Sequence, residues 1–246
     1  MYKLNDLDLE NLIKKNQVVI SKKQKRYIKI KQLLDFMISF IALIILSPIL
    51  LIVSILIKLD SPHEKILFKQ ERIGQHGKVF TLYKFRSMKQ GAPELSTSEF
   101  TNANQYITRI GRLLRKTSID ELPQLWCVLC GKMSIVGVRP LILGEDEVHF
   151  LREYYGIYQL KPGITGLAQI NGRDTMEDYD KVWWDRKYVR NFSFLYDVKI
   201  LWKTIMKVIK GTDIIDEEKN CKVQTKDSSF EVIVPLCNEE YETIAK

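Results

Sequence analysis

Cysteine is scarce in this chain, four residues among 246, and histidine is scarcer at three. Cys127, Cys130, Cys221 and Cys237 are too sparse for a disulfide framework and fit a reducing compartment. Cys127-Val-Leu-Cys130 has the spacing of a redox or zinc pair, but no second ligand pair accompanies it. His63, His76 and His149 are scattered, so the pair reads as two cysteines on one helix face. Glycine-rich phosphate fingerprints are absent, both the dinucleotide type and the P-loop with its lysine. No serine–histidine–aspartate arrangement has local support, and no internal repeat is visible. The first thirty residues are polar and mixed in charge, and no small-residue cleavage site follows the first apolar run. That run therefore reads as retained rather than as a secretory signal.

What is present is positive charge and one long apolar segment. Lysine and arginine number 38 against 30 acidic residues, a net charge of +8 that favours an anionic partner such as lipid headgroups, a nucleotide or nucleic acid. Phe36 to Ile57 is 22 residues without a charge. As a helix it reaches about 33 Å, enough to cross a bilayer. Ser47-Pro48 lies in its middle, where proline removes an amide donor and a kink is expected. Two topologies follow, a kinked span or a segment that enters, turns and leaves on the same side. The flanks bear on the choice. Lys22, Lys23, Lys25, Arg26, Lys29 and Lys31 precede the segment, and Lys58, Lys65, Lys69 and Arg72 follow it. Cations on both sides prefer the cytoplasm, which a single span cannot satisfy. A re-entrant helix-break-helix can, if the freed backbone groups find partners such as the Ser47 hydroxyl.

Beyond Asp60-Ser61-Pro62 the sequence reads as water-exposed. Lys65–Glu71 and Lys78–Phe85 are strand-like, and Gly74-Gln75-His76-Gly77 supplies the turn of a hairpin. Lys84 and Arg86 alternate at its end and are expected on one face. Residues 89–104 read as a loop or lid. Tyr106–Lys116 and Asp120–Cys130 read as helices, the second with Ser118 and Glu121 as a capping box. Ile135–Leu143 is a loop around Val138-Arg139-Pro140, and Glu145–Tyr155 is helical. Leu160–Arg173 looks too punctuated for a helix. Met176–Val189 and Leu195–Lys210 are amphipathic helices whose Trp183, Trp184, Tyr188, Tyr196 and Trp202 suit either a bilayer interface or a core.

The chemistry concentrates at Ser118-Ile119-Asp120-Glu121-Leu122-Pro123-Gln124, directly after Arg109, Arg112, Arg115 and Lys116. Paired carboxylates at a helix start have a plain explanation in the helix dipole. Beside cations that can hold phosphate oxygens and a membrane segment, they acquire a second one. One carboxylate can attack phosphorus, and its neighbour can help bind Mg2+. Arg139 and Arg173 are further candidates for phosphate contacts, as are Lys84 and Arg86.

In this order the motifs are recognisable: Lys31 and Asp35 before the apolar segment, Ser47-Pro48 within it, and IKLDSP (57–62) after it. FKQERIG (68–74), YKFRSM (83–88), RIGRLLRKTSIDELPQLW (109–126), MSIVGVRPL (133–141) and KPGITGLAQINGR (161–173) follow. Over residues 28–212 the chain resembles the bacterial sugar transferases, the small monotopic polyprenyl-phosphate phosphoglycosyl transferases. The resemblance implies transfer of a sugar-1-phosphate from a UDP-sugar to polyprenyl phosphate (undecaprenyl phosphate), with release of UMP. Asp120 would be the nucleophile and carry the phosphosugar. Glu121 would bind Mg2+ with it, Arg115 would hold the lipid phosphate, and Arg139 with Pro140 would shape the nucleotide and phosphate site. Lys84, Arg86 and Arg173 are placed with the nucleotide and phosphate contacts. Ser47-Pro48 would break a re-entrant membrane helix. Gln32, Cys127, Lys132 and Val138 depart from the family's usual basic residue, Asn, Asp and Pro.

The expected fold is α+β and mostly helical. It has a basic arm (1–30), a re-entrant membrane helix (31–59), a cytoplasmic catalytic domain with amphipathic surface helices and a small β-hairpin (60–212), and a tail (213–246). The expected location is the cytoplasmic face of a bacterial inner membrane rich in anionic phospholipid. A second copy of the chain and downstream glycosyltransferases are candidate partners. Nucleic acid is not expected, because the cations gather around carboxylates rather than on a clean basic face. Two rival readings are direct glycosyl transfer onto a lipid carrier and an inactive membrane scaffold.

Overall fold

The computed structural model describes residues 16–92, 105–172 and 178–210. Its dominant element is a 39-residue helix, α1 (Lys22–Asp60). Ser21 starts it with a capping box: its hydroxyl accepts from the Gln24 amide at 3.2 Å, and the Gln24 side chain accepts from the Ser21 amide at 3.0 Å. The helix therefore begins inside the stretch expected to be a separate arm. It ends at Ser61, whose conformation is restricted by Pro62.

Helical backbone runs unbroken through Pro48, where a break was expected. Proline leaves the Ile44 carbonyl without its usual donor four residues on. The Ser47 hydroxyl donates to that carbonyl at 2.7 Å, so the Ser-Pro pair creates an orphan acceptor and supplies its replacement partner. By length and composition α1 could cross a membrane. One stripe of it packs against the protein, with Asp35, Ser39, Val53 and Ile57 buried, while Phe36, Phe40, Ile44, Ile45, Leu51 and Ile52 are at least half exposed. A helix apolar all round yet covered on one stripe has an apolar surface that water cannot favour.

The expected hairpin is present, displaced by one or two residues. β1 (Leu67–Ile73) pairs antiparallel with β2 (Val79–Phe85), from Leu67 opposite Phe85 to Ile73 opposite Val79. His76 and Gly77 turn the chain at positive φ. Helix α2 (Arg109–Lys116) is capped by Thr108, and α3 (Gln124–Leu129) follows a tight turn. A second sheet was not anticipated. β3 (Ser134–Val136) pairs in parallel with β4 (Gly163–Thr165), strands of three residues being too short to show a period-two pattern. Gly137 and Gly163 let these backbones touch: a Cβ on Gly163 would lie 2.1 Å from the Gly137 nitrogen. The connector read as too punctuated for a helix does contain a short one, α5 (Leu167–Asn171).

Helices α4 (Asp146–Tyr154), α6 (Asp178–Asn191) and α7 (Phe194–Lys210) complete the α-helices among the described residues. They build the main core around Val136, Val148, Leu151, Ile157, Tyr188, Val189, Phe192 and Ile200. The aromatic residues of the last two helices divide between the two readings. Tyr188 is fully buried, whereas Trp202 is 64% exposed in an α7 stripe with Leu195, Ile205 and Ile209. Residues 93–104, most of the expected lid, and the 213–246 tail lie outside the described residues.

Candidate active site

The two carboxylates do not open an α-helix. Ser118 adopts a left-handed conformation (φ 55°) and makes no side-chain cap, so the capping box expected there is absent. An N-cap needs an extended backbone, which Ser118 lacks. Ile119–Glu121 instead form one 3-10 turn, closed by the Leu122 amide on the Ile119 carbonyl at 3.1 Å. Pro123 has no amide with which to continue an α-helical ladder to that carbonyl, and α3 starts only after it. The effect is to bury both Asp120 and Glu121, each 8% exposed. Ile119 packs against Val53 and Ile57 of α1, Phe85 of β2 and Leu114 of α2, so the turn is pinned beside the apolar helix.

Cations from separate elements converge on Glu121. Lys84, near the end of β2, reaches Oε1 at 3.3 Å, and Arg139, in the loop after β3, approaches the same oxygen at 3.9 Å. Burial lowers the Lys84 pKa below the ordinary lysine value. Glu121 and Asp120 act in the opposite direction, and Arg139 and Arg72 reinforce the lowering. Arg115, in the last turn of α2, donates from Nε to the Ser87 hydroxyl at 3.0 Å. This contact depends on Gly111, one turn earlier. A Cβ there would lie 2.0 Å from the Ser87 carbonyl oxygen, so only glycine lets α2 approach the strand exit so closely.

The other predicted residues separate. Arg86 does not share a partner with Lys84. Its Nη1 pairs with Glu64 at 3.4 Å and its Nε donates to the Lys65 carbonyl at 2.8 Å, fastening the β2 exit to the segment after α1. Pro140 contributes through its carbonyl, which accepts from Arg72 Nη1 at 3.1 Å. Ser47 and Pro48 sit in α1 as described, and Arg173 lies outside the described residues. Lys31, read with the lipid-facing basic cluster, is drawn inward to Asp197 at 2.7 Å, while Lys22, Lys23, Lys25, Arg26 and Lys29 stay on the outer face. Asp35 entered the sequence reading only as a motif residue, and the buried Arg152 not at all. Asp35 accepts from the Ser134 hydroxyl at 2.7 Å and the Ile135 amide at 3.2 Å, tying α1 to β3. Arg152 pairs with Asp185. Arg152 had a legible signal, because it falls on the apolar face of its helix with Val148, Leu151 and Tyr155.

Among the described residues, no cluster of three or more His, Cys, Asp or Glu side chains is placed to hold a metal. The dyad alone suits Mg2+ better than metals held in all-protein cages. Mg2+ commonly takes one or two carboxylates and completes its shell with phosphate oxygens and water.

The bacterial sugar transferase family model matches residues 26–211. The chain belongs to this family. It is 38% identical over 185 residues to the UDP-glucose:undecaprenyl-phosphate glucose-1-phosphate transferase of Escherichia coli (strain K12), covering 72% of this chain and 40% of that protein. It is 36% identical over 212 residues to the undecaprenyl-phosphate galactose phosphotransferase of Salmonella typhimurium, covering 78% and 42%. An exopolysaccharide production protein of Rhizobium leguminosarum is 41% identical over 188 residues, covering 72% and 94%. The chain thus spans about two fifths of the first two sugar transferases and nearly all of the third.

Proposed function

We propose that this sugar transferase is a phosphoglycosyl transferase that moves a sugar-1-phosphate from a UDP-sugar to polyprenyl phosphate at a membrane surface. The observation that carries the reading is the buried Asp120-Glu121 turn, met by Lys84 and Arg139 and packed through Ile119 against the apolar α1. In the first step a carboxylate oxygen of Asp120 attacks the β-phosphorus. The bond from that phosphorus to the bridging oxygen breaks, and UMP leaves with the electron pair. In the second step an oxygen of polyprenyl phosphate attacks the phosphorus of the acyl phosphate. The polyprenyl-diphosphate sugar forms, and the Asp120 carboxylate is restored. Lys84 and Arg139 neutralise the phosphates, and Arg115 holds the lipid phosphate. Asp120 and Glu121 would hold Mg2+, which supplies charge screening of the phosphates when bound.

The membrane reading has its own support. α1 lies along the domain, with contacts from Gln24 near its start, through Asp35, to Ile57 near its end. A domain carrying buried ion pairs cannot accompany a crossing helix through hydrocarbon without heavy desolvation cost. Both ends of α1 therefore belong on one side, in a re-entrant or shallow arrangement at the cytoplasmic face. The exposed stripe of α7 would lie in the same interface, and the basic residues from Lys22 to Lys29 would meet anionic lipid.

The decisive assay is UMP release from a panel of UDP-sugars with polyprenyl phosphate in detergent or nanodiscs. UMP is expected from at least one donor. UDP in its place would indicate direct glycosyl transfer, and no nucleotide product from any donor would sink the enzymatic reading. Cysteines placed at Lys22 and Asp60 should label from the same side of a sealed vesicle. Labelling from opposite sides would reject the re-entrant topology.

Lys84 makes a pH prediction. Its folded-state pKa lies below that of the unfolded chain, so it loses its proton at lower pH than a free lysine. The cost of burying its charge falls on stability in full below the folded pKa, and is relieved as pH rises from there towards the unfolded value. Its phosphate-holding charge is lost over the same rise. Lys84→Arg keeps the charge at all these pH values. The alkaline limb of kcat/KM is expected to move to higher pH in that variant. A limb at the same pH in both proteins would remove Lys84 from the phosphate contacts.

A further inference from the structure

The loop that presents Arg139 is held at four successive carbonyls, each by a different group. The Arg139 carbonyl accepts from Arg152 Nη1 at 2.7 Å, and the Pro140 carbonyl accepts from Arg72 Nη1 at 3.1 Å. The Leu141 carbonyl accepts from the Ile73 amide at 3.2 Å. The Ile142 carbonyl lies 2.6 Å from His149 Nε2. All four partners, Arg72, Ile73, His149 and Arg152, come from elements that carry none of the proposed reacting groups. Arg72 and Ile73 end β1, and His149 and Arg152 are on α4.

Arg152 is the most heavily committed of them. It is 1% exposed, and its second arm, Nη2, meets Asp185 of α6 at 2.5 Å. Asp185 is equally buried. A buried ion pair is a weak source of net stability, because desolvation offsets the attraction. A guanidinium is better suited to fixing geometry, since its planar fork holds two acceptors in place relative to each other. Here those acceptors are the backbone carbonyl of Arg139, whose guanidinium approaches Glu121 at 3.9 Å, and a carboxylate in the core.

We propose that Arg152, locked by Asp185, is a positioning residue that sets where the Arg139 guanidinium stands relative to the acidic dyad. It touches neither dyad carboxylate among the described contacts and acts through the Arg139 backbone. The inference rests on the proposed reaction for its kinetic consequence only. The clamp itself can be read without turnover.

Arg152→Lys keeps the charge but replaces the fork with a single ammonium, which cannot span both acceptors in the same geometry. The first readout is amide hydrogen exchange in the full-length protein. Exchange at Ile73, whose amide donates to the Leu141 carbonyl, and at Ile142, whose amide donates to Glu145 Oε2 at 2.9 Å, is expected to rise about tenfold or more as the loop opens locally, with the amides of α7 unchanged. Unchanged exchange at these two amides would overturn the clamp. The second readout is a double-mutant cycle on UMP release. Arg152→Lys is expected to lower kcat/KM about 10- to 100-fold, the scale of a small misplacement of a positioned group. In an Arg139→Ala background it should add almost nothing, because the group it positions is gone. Equal losses in both backgrounds, or a lower Tm with kcat/KM intact, would reject the role. Asp185→Asn preserves shape and should shift both readouts in the same direction by less. It also serves if Arg152→Lys does not fold. Absence of UMP from the unsubstituted protein counts against the proposed reaction, while the exchange result still decides the clamp.

Discussion

Asp120→Asn is expected to reduce UMP release by at least about a thousandfold, the scale seen when a nucleophile is removed from a covalent mechanism. The substitution is nearly isosteric, so the 3-10 turn and its packing through Ile119 should persist. What changes is chemistry. An amide oxygen is a poor nucleophile towards phosphorus, and the site loses one negative charge. Lys84 feels that loss, because Asp120 is one of the groups that favour its protonated form. The variant should therefore fold normally by circular dichroism while its remaining cations still attract a nucleotide. The decisive measurement is intact mass after brief exposure to a UDP-sugar without lipid acceptor. The unsubstituted protein should gain one sugar-phosphate and the Asp120→Asn protein none. Turnover within tenfold of the unsubstituted protein would remove Asp120 as nucleophile. It would reopen direct attack by the lipid phosphate on the donor.

Glu121→Gln should have the next largest effect, a loss of about 100-fold or more in kcat/KM, with a higher Mg2+ requirement. Two cations address one oxygen of Glu121, Lys84 at 3.3 Å and Arg139 at 3.9 Å. Removing the shared counter-charge leaves both partly buried with less compensation, and Lys84 loses the largest influence holding its proton. The dyad would also offer Mg2+ one carboxylate instead of two. A Mg2+ titration after chelator treatment separates these effects. Activity of the unsubstituted protein should vanish with chelator and return with Mg2+, and the Glu121→Gln midpoint should lie at higher concentration. An unchanged midpoint with lowered Tm would make Glu121 a structural counter-ion only.

The fold was legible in the sequence where local signals are strong. The charge-free run from Phe36 to Ile57 announced the long helix, and Gly74 to Gly77 announced the hairpin turn. The capping signature around Ser118 misled, because a serine followed three residues later by glutamate is compatible with a cap but does not require one. The left-handed Ser118 and the amide missing at Pro123 decided otherwise. The parallel pair of three-residue strands had no local signature, since it depends on Gly137 and Gly163 meeting from distant parts of the chain.

The candidate site divides in the same way. Sequence by itself determined the family, the acidic dyad, the arginines near it and the apolar helix, because each is carried by residue identity at fixed local spacing. Tertiary structure alone decided which cation serves which carboxylate. Lys84 and Arg86 are two residues apart, yet one reaches Glu121 and the other Glu64. Arg152 and Asp185 are 33 residues apart and meet in the core. Pairing between charges is set by the distance and burial that remain after the chain has packed, and neither quantity is fixed by neighbours along the sequence.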